Sequence, residues 1–105
     1  MKASWKKLWV RALRGGKYKQ GRHALRNSDN TTCCLGVLCD LVDPKGWDNK
    51  VTYSGKHLYL GESGWTPLST RTKVSLYLRQ MHTLARMNDK GATFDKIANY
   101  IEKNL

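Results

Sequence analysis

Apolar residues near the start of the chain recur at helical spacing. Trp5, Leu8, Trp9, Ala12 and Leu13 stand at i, i+3, i+4, i+7 and i+8, which predicts a helix with one buried face. Ser4 is placed to cap it, and Gly15-Gly16 to end it after Arg14. At about 100° per residue, Lys7, Arg11 and Arg14 fall on the side opposite the tryptophans, within about 60° of one another. Residues 17–32 are polar and carry the turn residues Gly21 and Asn27-Ser28-Asp29-Asn30, so they read as a short extended segment, a turn and a return. The apolar run Cys33-Cys34-Leu35-Gly36-Val37-Leu38-Cys39-Asp40-Leu41-Val42 suits a buried strand or a short helix. A helix over about 34–42 is favoured, broken by Asp43-Pro44-Lys45-Gly46.

In the middle of the chain, Val51-Thr52-Tyr53 and His57-Leu58-Tyr59-Leu60 flank a Ser54-Gly55 turn, which predicts two short antiparallel strands before a loop over 61–67. Residues 73–78 alternate polar with Val74, Leu76 and Leu78, a third strand-like stretch. Helical spacing then takes over at Met81, Leu84, Ala85 and Asn88, and Asn88-Asp89-Lys90-Gly91 is a stop. Thr93 caps a last helix whose Phe94, Ile97, Ala98, Ile101 and Leu105 share a face. The expected fold is α+β: a small single domain over residues 1–105 with an N-terminal amphipathic helix, short central antiparallel strands and a C-terminal helical hairpin. A chain of 105 residues with no internal repeat and no low-complexity linker leaves no room for a second core.

Composition sharpens this in three places. No run approaches the roughly 18 consecutive apolar residues of a membrane span, so no membrane partner is expected. The opening Met1-Lys2-Ala3-Ser4-Trp5-Lys6-Lys7 has no apolar core or cleavage site of a secretion signal, which implies a cytoplasmic protein. Three cysteines, two of them adjacent, make a disulfide framework improbable and read as free thiols.

Charge is the most informative feature. The formal net charge is +11, and the first 26 residues hold nine lysines and arginines with no acid. The remaining 79 carry ten basic and eight acidic residues, so the positive field has a definite location. The stripe Lys7, Arg11, Arg14 runs on into Gly15-Gly16-Lys17-Tyr18-Lys19-Gln20-Gly21-Arg22 and then Arg26. Glycines here let backbone N–H groups approach a ligand, arginine forks match phosphate oxygens, and Tyr18 offers a stacking face. The candidate phosphate-binding set is therefore Lys7, Arg11, Arg14, Lys17, Tyr18, Lys19, Gln20, Arg22 and Arg26. The plainer alternative is a solvated face, and no Walker spacing is present.

Other constellations are weaker. The final hairpin resembles the first two helices of a helix-turn-helix unit but has no recognition helix after it, so closing the core is its simpler role. Cys33, Cys34 and Cys39 lack the paired spacing of structural zinc and read as packing thiols, with no metal and no cofactor expected. No nucleophile stands beside a recognisable base, so no catalytic residue is assigned and the protein is not expected to be an enzyme.

Two blocks resemble a family of small proteins found widely in tailed-phage genomes. The first comprises Trp9-Val10-Arg11-Ala12-Leu13-Arg14, Tyr18-Lys19-Gln20-Gly21, Leu25-Arg26 and the Cys33 to Leu41 run. The second is Leu84-Ala85-Arg86-Met87-Asn88-Asp89-Lys90-Gly91-Ala92-Thr93-Phe94 with Ile97-Ala98-Asn99-Tyr100-Ile101-Glu102. The chain departs from that family in a shorter middle, around residues 64–78. The resemblance implies a phage accessory protein acting in a bacterial cytoplasm, by counter-defence or host takeover. Combined with the charge, it predicts a binder of nucleic acid or nucleotide. The rival is a protein inhibitor that docks on an acidic patch of a host enzyme or defence complex, with Trp47 or Trp65 as anchors.

Overall fold

Among the described residues four α-helices carry the structure: α1 Ala3–Arg14, α2 Cys34–Val42, α3 Leu78–Asp89 and α4 Phe94–Asn104. The computed structural model describes residues 3–42, 44–49, 59–61, 64–66 and 78–105, with the backbone alone at 59–61, 64–66 and 78. Pro44–Gly46 forms one 3₁₀ turn after α2.

The expected α+β class is overturned. Among the residues whose burial is described, every buried apolar side chain comes from a helix or from Cys33 at the head of α2, so the core is helix on helix. Val51-Thr52-Tyr53, His57 and Leu58 lie outside the described residues. Tyr59 and Leu60, read as strand, do pair: Tyr59–Gly61 runs antiparallel to Gly64–Thr66, which lies in the segment read as a loop, over three residue pairs. Three pairs are too short a ladder to form a layer of a domain. Of the alternating stretch at 73–78, only Leu78 is described, and it opens α3. The segment read as extended, turn and return makes only isolated bridges, Thr32 with Gln20 and Thr32 with Arg26.

The helix ends follow local chemistry. Thr93 caps α4 as the spacing predicts: its hydroxyl accepts from Lys96 N–H at 3.3 Å. α3 closes in a Schellman motif, with Gly91 N–H on Asn88 O at 3.3 Å, Ala92 N–H on Met87 O at 3.0 Å, and Gly91 at φ +104°. α1 ends at Arg14 with Gly16 at φ +77°. Ser4 lies inside α1 and does not cap it. At the head of α2 a cysteine takes the place of the usual Ser or Asp cap: Cys33 Sγ accepts from Gly36 N–H at 3.4 Å.

The buried face of α1 is Trp9, Val10 and Leu13, whereas Leu8, expected inside, is 45% exposed. The reason is that α1 packs against both α2 and α4, which turns the buried sector toward Val10. Trp9 Nε1–H donates to Cys34 O at 2.9 Å, pinning α1 to the head of α2. Gly36 lets α2 lie against the backbone of Leu25, where a Cβ would overlap the Leu25 carbonyl oxygen. All three cysteines are buried free thiols, and burial pushes each above its ordinary pKa.

Candidate functional site

The nine residues singled out for phosphate binding divide into two groups. Lys7, Arg11, Lys17, Lys19 and Arg22 are exposed. Arg14, Tyr18, Gln20 and Arg26 have structural work.

Gln20 is a strut. Its Nε2 donates to Asn88 Oδ1 at 3.0 Å and Ala92 O at 2.7 Å, and its Oε1 accepts from Phe94 N–H at 3.1 Å. It therefore ties the basic loop to both the stop of α3 and the start of α4. Behind it sits Asn88, fully buried, which accepts from Cys34 N–H at 3.2 Å and donates to Gly21 O at 2.7 Å. Tyr18 donates its hydroxyl to Asp40 Oδ2 at 2.6 Å, and Trp47 Nε1–H donates to the other oxygen of that carboxylate at 3.1 Å. Burial first, and then the Asp40 contact, push the Tyr18 phenol above its ordinary pKa. Arg26 lies over the Trp47 ring at 3.9 Å.

Arg14 reaches from α1 to α4, pairing with Glu102 at 3.0 Å and donating to Asn99 Oδ1. The hydrogen bond from Arg14, reinforced by its charge, holds the Glu102 carboxyl below the usual range. The exposed cations have no such neighbour: of Lys7, Arg11, Arg14, Lys17, Lys19 and Arg22, Arg14 alone has an acid within ion-pair distance among the described residues.

The structure gathers these cations, Arg22 apart, in two places and not along one stripe. Lys6, Lys7, Arg11 and Arg14 rim an open groove of about 630 Å³ on α1, floored by Ala3, Val10 and Gly15 and bordered by Glu102. Lys17, Lys19 and Arg26 line a separate cleft of about 380 Å³ with Asp29, Asn30, Thr32 and Asp40.

Sequence reasoning missed Lys6, whose position near the tryptophan side of the helical wheel hid it. It also missed Thr32, which carried no signal, and a cationic face on α3 formed by Arg79, His82, Thr83 and Arg86. That face was legible, since 79, 82, 83 and 86 have the spacing of an apolar stripe but with polar residues. No described helix is long and apolar enough to cross a membrane.

What this arrangement defines is a small helical domain with a strongly cationic N-terminal face. The family model described as a domain of unknown function, DUF8296, matches residues 1–105, and the chain belongs to that family. No curated protein and no solved structure matches it.

Proposed function

We propose that this DUF8296 protein binds nucleic acid through the exposed cations of α1 and the loop over residues 15–22, acting by binding and without catalysis. The carrying observation is that Lys7, Arg11, Lys17, Lys19 and Arg22 are exposed without an acid in ion-pair distance among the described residues, within a segment that holds nine cations and no acid. Such cations gain most from phosphates, because each contact releases a condensed counterion. Arg14, Tyr18 and Gln20 serve the surface indirectly, by fixing α1 and the loop to the core. The likeness to small tailed-phage proteins supports placing this activity in an infected bacterial cytoplasm, as counter-defence or host takeover.

The test is fluorescence anisotropy with labelled duplex and single-stranded DNA and RNA across a salt series. Five phosphate contacts give a log–log salt slope near −4.5 on duplex DNA, or about a 500-fold loss between 50 and 200 mM salt. Lys7→Gln/Arg11→Gln/Lys19→Gln should flatten the slope by about three contacts while leaving the fold intact. Absence of binding at low salt would remove the proposal.

One observation favours the rival, a protein inhibitor of an acidic host surface: Leu8 is exposed on α1 among the cations, and Val10 floors their groove. Trp47 is no exposed anchor for it, being half-buried and bonded to Asp40. Pull-down from host lysate with nuclease treatment separates the two readings, since only a protein partner survives the nuclease.

A further inference from the structure

We propose that the cleft between the basic loop, the turn at residues 29–32 and the last turn of α2 binds a single nucleotide, as a free mononucleotide or as one unit of a strand. This deepens the reading of the N-terminal surface and rests on it for the attraction of phosphate, but it uses a different set of residues from the α1 groove.

The cleft measures about 380 Å³, within the range that encloses a small ligand. Its chemistry is mixed in a way that a bare anion would not need. Lys17, Lys19 and Arg26 supply positive charge for a phosphate, while Asp29 and Asn30 supply carboxylate and amide groups that suit ribose hydroxyls or a base edge. Asp40 also lines it, but both of its oxygens accept hydrogen bonds, from Tyr18 and from Trp47, which offsets its repulsion of an incoming phosphate. The loop is shaped before any ligand arrives: Asp29 Oδ1 accepts from Thr31 N–H at 3.1 Å and from the Thr31 hydroxyl at 2.7 Å, and Asn30 takes φ +72°.

The observation that points to a ligand is Thr32. It is 3% exposed on the lining of this cleft, and its hydroxyl has no hydrogen-bond partner among the described residues. The backbone of Thr32 is fixed on both sides, N–H to Lys19 O at 2.9 Å and C=O from Gly21 N–H at 2.7 Å, so the side chain cannot leave. Valine would fill the same space without the cost of a buried, unpaired hydroxyl. A ligand oxygen seated in the cleft that Thr32 lines supplies the missing partner.

Calorimetric titration of the full chain tests this with AMP, GMP, CMP and UMP, with the matching nucleosides, with inorganic phosphate, and with a single-stranded pentanucleotide. Expected is saturable binding of at least one mononucleotide at one per chain, with its nucleoside and phosphate weaker by about tenfold or more, the scale of one charge-assisted hydrogen bond. Thr32→Val should lose about tenfold in nucleotide affinity while melting no lower than the wild type, which a merely structural role would not give. Lys19→Gln, an exposed change that leaves the core alone, should weaken nucleotide binding in the same direction.

A pentanucleotide that binds more tightly than any mononucleotide, with the same dependence on Thr32, identifies the ligand as a strand; equal affinities identify it as the free nucleotide. Lys7→Gln/Arg11→Gln should retain mononucleotide binding and weaken duplex binding. Duplex binding without any saturable mononucleotide overturns the cleft and leaves the surface reading standing. Unchanged nucleotide affinity in Thr32→Val also overturns it.

Discussion

Replacing Asn88 with alanine removes the one amide that joins the basic loop, the head of α2 and the C-terminal hairpin. The side chain is fully buried, so water does not reach its partners in the folded state. Gln20 keeps its bond to Ala92 O, but Cys34 N–H and Gly21 C=O have no other partner among the described residues. Each buried group left unpaired costs about 1–3 kcal/mol, so the two together cost about 2–6 kcal/mol. Small domains have about 5–15 kcal/mol in total, which makes this a large share of the stability. Urea unfolding followed by tryptophan fluorescence and far-UV circular dichroism measures it. With a slope near 1.5 kcal/mol per molar, the midpoint should fall by about 1.3–4 M.

The charged isostere gives an internal check. In Asn88→Asp, a protonated carboxyl can still donate to Gly21 O and accept from Cys34 N–H, whereas the ionised form cannot donate. Its folded pKa is therefore raised, and the variant should be most stable below about pH 4, losing stability as pH rises through the folded value. A loss below about 1 kcal/mol in Asn88→Ala, with an unchanged slope, would refute the account of this amide as a hub.

Gly36→Ala should destabilise by about 3 kcal/mol or prevent folding, because the added Cβ overlaps the Leu25 carbonyl oxygen and lies 2.8 Å from its carbon, and backbone cannot swing aside. Gly16→Ala, at φ +77° with nothing within 4 Å of the added carbon, should cost only about 1 kcal/mol; thermal melts of the pair separate steric from conformational cost. The buried thiols of Cys33, Cys34 and Cys39 titrate above their unfolded values, so the stability they contribute is complete below about pH 8.5 and is lost as pH rises above it. Native protein at pH 8 should thus react with a thiol reagent only as it unfolds, and a thiol that reacts at once would refute its burial.

Where the chain repeats with a helical period and carries its own cap, the sequence was enough: α4 with Thr93, and the Gly91 stop of α3, are written in adjacent residues. The face of α1 was not, since Leu8 and Val10 are equally apolar and only contact with two helices at once decides between them. In the middle, Tyr59 and Leu60 pair as a strand, but the rest of the alternating residues lie outside the described ones, and the fold class was misread because the described core is filled by helices. Among the candidate ligands, Lys7 and Arg11 were readable as exposed cations of one helix face. Gln20, Tyr18 and Arg14 were not readable as struts: a polar side chain in a loop suits a ligand as well as it suits Phe94 N–H, Asp40 or Glu102, and those partners lie 74, 22 and 88 positions away.

The tie between Arg14 on α1 and Glu102 on α4 has a consequence for the order in which the protein is made. The nine cations of the first 26 residues leave the ribosome well before the residues that fix α1 and Gln20 in place. At about 5–20 residues per second, the 88 positions between them take about 4–18 s to synthesise. Throughout that interval the nascent chain presents its positive charge without its folded shape. The cationic face is thus fixed only when the hairpin of α3 and α4 docks.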